Sequence, residues 1–147
     1  LAQRQRRIGG RISQVDLLPT LLELMNEAIP SYLQGQSRAS ALPGQATLAD
    51  NDVFIEWNGP NDDLPADASQ LERLMAPPWR TIISAEGWKL NLSPEDSCEL
   101  YDLNNDPYEQ HNLFTAPTQR ARIRDLAARI RVWQNRTGDT APLPHID

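Results

Sequence analysis

At 147 residues, with a formal charge of −6 and 39% apolar residues, the chain can bury one modest core, or form a small domain plus the end of a larger one. No apolar run approaches bilayer-spanning length, and the single cysteine, Cys98, excludes an internal disulfide and a thiolate-based zinc site. Residues 50 to 112 hold fourteen acids against Arg73, Arg80 and Lys89, an acidic middle that argues against nucleic acid as the main partner.

The chain opens without Met in the basic run Arg4-Gln5-Arg6-Arg7, so the true N-terminus is expected upstream of Leu1. The lack of a signal peptide then says nothing about compartment, periplasmic or cytoplasmic. Thirteen arginines to one lysine suggest a GC-rich bacterial genome.

In chain order, a basic loop leads to Ser13-Gln14-Val15-Asp16, whose spacing allows a capping box. Alternatively Asp16 is itself the cap, which puts Pro19 in the first helical turn, where its missing N–H costs little. Leu17, Leu18, Leu21, Leu22 and Met25 recur at helical spacing, a stripe that must bury against something. Residues 30–52 read as irregular, punctuated by Pro30, Gly35, Pro43 and Gly44.

Strands are predicted at Val53–Trp57, Trp79–Ala85, Trp88–Leu92 and Glu99–Leu103, with a polar loop at 58–65 and a tight turn at Glu86-Gly87. Their close spacing favours antiparallel pairing, since parallel strands need long crossovers. A helix is predicted from Pro117 to Asn135, with Ile123, Leu126, Ala127, Ile130 and Trp133 on one face and Gly138 just past its end. It would cover one face of the sheet, and the tail from Thr140 reads as extended.

Asp102, Asn104 and Asp106 occupy the first three ligand positions of a calcium loop. The sixth and twelfth positions, which require Gly and Glu, are Pro107 and Leu113, so a turn closed by Asn and Asp side chains is the better reading. Asp50, Asp52, Asp62 and Asp63 flank a strand and could line a metal site, but acids this dense in loops are ordinarily solvated. His111 and His145 make a poor zinc pair, and His111 is expected to cap or pack in the turn. Cys98 reads as a half-buried strand thiol.

No Gly-x-Ser-x-Gly elbow, phosphate-cradling loop or His-Glu-x-x-His occurs, so no catalytic residue and no metal ligand is expected in this chain. The six arginines at 120, 122, 124, 129, 131 and 136 suit either an anion contact or a solvated face bridged to the acidic sheet, and their scatter favours the second. Trp79, Trp88 and Trp133 read as packing residues; Trp57 could face a pocket at a sheet edge beside Asn58-Gly59-Pro60-Asn61.

Four segments in order carry a resemblance: Val15-Asp16-Leu17-Leu18-Pro19-Thr20-Leu21-Leu22-Glu23-Leu24, Tyr32-Leu33-Gln34-Gly35-Gln36-Ser37, Arg80-Thr81 through Gly87-Trp88-Lys89-Leu90, and Glu99-Leu100-Tyr101-Asp102-Leu103 through Asp106-Pro107, Glu109 and Asn112-Leu113. Together they resemble the C-terminal part of sulfatases of the alkaline-phosphatase superfamily. Gln34 stands where the family usually has Asp, and Arg38 where it usually has Leu.

The resemblance implies an α+β fold: a four-stranded antiparallel sheet packed by a C-terminal helix, preceded by the last helix of an α/β catalytic domain that lies upstream. Residues 1–29 would end that domain, 30–52 connect, 53–139 form the sheet-and-helix subdomain, and 140–147 trail. The implied activity is hydrolysis of sulfate esters or sulfamates, with a formylglycine nucleophile and a divalent cation, usually calcium, both supplied upstream. No cofactor is expected on this chain, and Cys98, followed by Glu99-Leu100-Tyr101, does not fit the formylglycine motif. The partners implied are the catalytic domain of the same chain and a sulfated small molecule or saccharide, with no nucleic acid and no membrane span. Glu56, Trp57, Asn58 and Asn61 are the candidate substrate contacts. A freestanding binding module, a nucleic-acid module and the tail of a related phosphonate or phosphate-ester hydrolase are the alternatives. In a sulfatase tail, Leu18, Leu21, Leu22 and Met25 would form an exposed apolar patch; in a freestanding module they would be buried.

Overall fold

The computed structural model describes residues 7–44, 47–48, 51–59, 69 and 77–146. It divides into two compact units, Leu1–Val53 and Phe54–Asp147.

In the first unit a 3-10 turn, Gln14–Asp16, runs into helix α1, Leu17–Leu24. Asp16 occupies the N-cap position, but neither it nor Ser13 makes a side-chain cap, so the capping box does not form. Its carboxylate reaches far along the chain instead. Oδ1 accepts the Gln36 N–H at 2.9 Å and Oδ2 accepts Nε of Arg38 at 3.0 Å. Thr20 Oγ1 then accepts the Arg38 N–H, and Arg38 donates to Asn51 Oδ1 at 2.6 Å. The approach is close enough to require glycine at 35, where a Cβ would collide with the Val15 carbonyl.

Helix α1 ends in a Schellman arrangement: Glu27 N–H donates to Leu22 O, Asn26 N–H to Glu23 O, and Asn26 takes a left-handed φ of 58°. Pro19 sits in the first turn and is the buried residue of the helix. Leu17, Leu18, Leu21, Leu24 and Met25 stay half exposed, so within the described residues the apolar stripe is not buried.

In the second unit the strands β1 (Val53–Trp57, its first residue at the boundary), β2 (Trp79–Ile83), β3 (Trp88–Leu92) and β4 (Glu99–Asp102) lie in that order in one antiparallel sheet. Ile82 pairs with Leu90, and Leu90 with Leu100, so three apolar side chains align straight across the sheet. They meet helix α2, Arg120–Thr137, entered through a 3-10 turn at Pro117–Gln119. Ile123, Leu126, Ala127 and Ile130 close the core against that row, each Leu or Ile contributing roughly 1.5–3 kcal/mol by burial. Phe54 extends the packing by stacking on Trp133, with ring centroids 5.4 Å apart. Gly138 stops the helix at φ 73°, the left-handed conformation glycine adopts freely.

Strand β2 ends two residues earlier than the sequence suggests because Ser84 already closes the hairpin, its N–H donating to Trp88 O at 2.8 Å. The opposite sheet face carries a row of polar side chains at its middle. Thr81 Oγ1 donates to Asn91 Oδ1, and Asn91 Nδ2 to Glu99 Oε2, each at 2.7 Å.

The segment after β4 stitches itself to the sheet. Asn112 Oδ1 accepts the N–H groups of Leu100 and Phe114, its Nδ2 donates to Cys98 O, and Leu113 N–H donates to Leu100 O. Asp102 accepts from Asn104 N and Asn105 Nδ2, and Asp106 from the Gln110 and His111 N–H groups. These side chains therefore turn the backbone, as their spacing predicts. The His111 ring is exposed and does not pack; its Nδ1 lies 3.7 Å from Asp106 Oδ2, and Asp106 caps its backbone. Glu109, at a left-handed φ of 56°, pairs with Lys89 at 2.7 Å.

Candidate functional site

Strand β1 lies at one edge of the sheet; its last two residues are the candidates Glu56 and Trp57, and Asn58 follows directly. Phe54 faces α2, so by alternation Glu56 lies on that side while Ile55 and Trp57 face the other way. Glu56, Trp57 and Asn58 are exposed, the Trp57 side by 48%. Asn61 lies outside the described residues, as do Asp50, Asp62 and Asp63 of the acidic set.

What holds this end in place is Arg80, a cation in a slot where the β2 pattern calls for an apolar residue. Its side chain is 3% exposed. Nε and Nη2 form a fork on Asp139 at 2.6 and 2.7 Å. Nη1 donates to the carbonyl oxygens of Trp57 and Trp79, at 3.0 and 2.9 Å, and Nη2 also donates to Asn58 Oδ1 at 2.7 Å. All five guanidinium N–H groups are thereby used. Asp139 is held in turn by Gln134 Nε2 at 2.8 Å and by the Ala141 N–H at 3.2 Å.

The pair is charge-assisted and shielded, and both partners show it. Hydrogen bonds from Arg80 first, then from Gln134 and the Ala141 N–H, hold the Asp139 carboxyl well below the usual carboxylate range despite its burial. The Asp139 hydrogen bond raises Arg80 against the opposing cost of burial. Removing one member of such a pair typically costs about 3–5 kcal/mol, because the other charge is left buried alone.

This cluster escapes sequence reading because Arg80 and Asp139 lie 59 residues apart. Two signals pointed towards it: an arginine two residues before Ile82 on the core-facing parity of β2, and an aspartate directly after the helix-stopping Gly138. Gln134 continues the buried stripe of α2 as its one polar member and is spent on Asp139 and Ala141 O.

A concavity of about 330 Å³ opens between the β2–β3 turn and α2, lined by Ser84, Glu86, Trp88, Arg122, Asp125, Leu126 and Arg129. The Arg122 guanidinium covers the Trp88 ring at 3.7 Å, and Arg129 bridges Glu86 and Asp125. The Ser84 hydroxyl, the residue's own N–H and Arg129 together hold the Glu86 carboxyl below its ordinary value. The helix arginines at this cleft are thus tied to the sheet and to their own helix, as their scattered spacing suggests. Cys98 is half buried, its Sγ 3.5 Å from Ser93 O, and burial raises its thiol. Among the described residues, no three His, Cys, Asp or Glu side chains converge as a metal site, and no helix is long and apolar enough to cross a membrane.

The N-sulphoglucosamine sulphohydrolase C-terminal family model matches residues 2–136. The chain belongs to that family. An uncharacterized protein of Haemophilus influenzae is 31% identical over 124 residues, covering 84% of this chain and 57% of its own. An ulvan-active sulfatase of Formosa agariphila is 27% identical over 161 residues, covering 90% of this chain and 27% of its own. Among solved structures, a 2-O GAG sulfatase is 26% identical and superposes with a TM-score of 0.66, covering 84% of this chain and 25% of that one. The sulfatase C-terminal domain thus accounts for nearly the whole chain. The chain spans only about half of the first of these relatives and about a quarter of each sulfatase.

Proposed function

We propose that this chain is the C-terminal portion of a sulfatase that hydrolyses sulfate esters or sulfamates of a saccharide, completing its catalytic domain and shaping the edge of its substrate pocket. The observation that carries the reading is the family match over residues 2–136, set beside sulfatases about four times as long. Residues 1–29 would end the catalytic domain, 30–52 connect, 53–139 form the subdomain and 140–147 trail. The relatives named for ulvan and for GAG make a sulfated saccharide the favoured substrate class. Trp57, Glu56, Asn58 and Asn61, at and beyond the end of β1, are the proposed contacts at the pocket edge.

Formylglycine and a divalent cation would supply the nucleophile and the electrophilic assistance from residues upstream. The described residues of this chain do not fit either group: Cys98 precedes Glu99 rather than the formylglycine motif, and its thiol is kept protonated by burial. The half-exposed leucines of α1 favour a domain-completing role over a freestanding module, in which they would be covered from within. Two experiments test the reading. The upstream reading frame should encode a Cys or Ser-x-Pro or Ala-x-Arg motif, and residues 1–147 alone should fail to hydrolyse p-nitrophenyl sulfate; calcium-dependent turnover by the isolated chain would refute it.

A further inference from the structure

We propose that Arg80, clamped by Asp139, is a positioning residue for substrate binding: it fixes the Trp57–Asn58 strand end so that the Trp57 indole meets the saccharide. The inference rests on the pocket-edge reading above and assigns the part of the fold that makes that edge rigid.

An exposed tryptophan at the end of an edge strand would ordinarily sit on a loosely held backbone, because it has a sheet neighbour on one side only. Here the backbone beneath the ring is anchored. The Trp57 carbonyl and the Asn58 side chain both accept from one guanidinium that is itself 3% exposed and fully used. The guanidinium therefore has no N–H left for a sulfate and acts through the strand end it holds. Its other arm is fastened to Asp139, just after α2 stops, and Asp139 is braced by Gln134 and the Ala141 N–H. The route from the end of α2 to the backbone that carries the indole is thus continuous hydrogen bonding at 2.6–3.2 Å. A planar indole on a fixed backbone suits the apolar face of a pyranose ring, and its orientation matters more for a saccharide than for a small aryl sulfate that does not reach the edge. Lysine could not substitute, since a single ammonium cannot span the carboxylate fork and the two strand-end acceptors together.

The test uses the full-length protein and the variants Arg80→Lys, Asp139→Asn, Asn58→Ala and Trp57→Ala. Steady-state kinetics are measured on an O-sulfated disaccharide and on p-nitrophenyl sulfate, with amide hydrogen exchange followed alongside. Arg80→Lys and Asp139→Asn should raise the disaccharide KM about tenfold, with kcat and p-nitrophenyl sulfate turnover within about twofold of wild type. Amides of residues 57–59 should gain more in exchange rate than those of Leu90 and Leu100, which report only the global loss of stability. Combining Asp139→Asn with Asn58→Ala should cost less than the sum of the two.

Parallel losses on both substrates, or full additivity of those two changes, would overturn the inference and leave Arg80 a stability residue. If Trp57→Ala raises the disaccharide KM and Arg80→Lys does not, the positioning role alone falls. If Trp57→Ala itself leaves that KM unchanged, the pocket-edge reading fails and the inference with it. Should Arg80→Lys not fold, Asp139→Asn carries the same comparison.

Discussion

The two units are built on opposite principles. Phe54–Asp147 has an apolar centre, with Ile82, Leu90 and Leu100 aligned across the sheet and α2 laid over them. Leu1–Val53 is nearly the inverse: among its described residues the buried ones are Asp16, Asn51, Pro19 and two alanines, while the leucines of α1 are half exposed. One unit is organised by removing hydrocarbon from water, the other by satisfying a carboxylate. The difference teaches which half can stand alone, because a polar network orders a chain while adding little net stability.

The sharpest way to break that comparison is to cut the chain. Residues 54–147 should give a cooperative thermal transition by circular dichroism, and residues 7–53 should give none; two similar transitions would erase the distinction. Within the second unit, Leu90→Ala should cost about 3 kcal/mol in urea unfolding, the usual toll of a fully buried leucine. In the first, Asp16→Ala should cost about 2 kcal/mol, by stranding the Gln36 N–H and the Arg38 charge. Amide exchange should accelerate around residues 36–38 and leave the sheet unchanged.

Acid should act on the second unit through Asp139. Its folded carboxyl titrates below the ordinary value near 3.9, so between these values the unfolded chain takes up a proton that the folded chain does not. The stabilisation is fully present above about pH 4 and is lost as pH falls through the folded value. Asp139→Asn should therefore lose stability less steeply than wild type between about pH 4 and pH 2 in denaturant titrations. The smallest effect belongs to Arg129→Ala, whose partly exposed bridges to Glu86 and Asp125 should be worth under about 0.5 kcal/mol, within the error of a thermal melt.

Much of the second unit was legible in the sequence because its signals are local. Val53–Trp57 and Trp88–Leu92 form strands with the expected bounds, and Ile123, Leu126, Ala127 and Ile130 bury as their spacing requires. Legibility fails where a side chain's partner lies far along the chain. Asp16 looks like a cap until Gln36 and Arg38, 20 and 22 residues on, claim both its oxygens. Arg80 looks like any strand cation until Asp139 arrives from beyond the helix. The candidate site divides the same way: Trp57 and Asn58 stood out beside a run of turn residues, but what positions them did not. The stripe on α1 signalled a helix correctly, although periodicity cannot say whether its covering surface belongs to the same unit.

Asn112 gives the segment after β4 a role beyond turning the chain. By meeting the Leu100 N–H and the Cys98 carbonyl with one side-chain amide, and with Leu113 on the Leu100 carbonyl, it occupies the outer margin of β4. A bare strand margin is a template on which another chain can add a strand and seed a growing aggregate. Asn112→Ala should therefore show itself less in unfolding than in turbidity on storage. Asn112 and Leu113 thus cover the margin on which a strand of the next molecule would add.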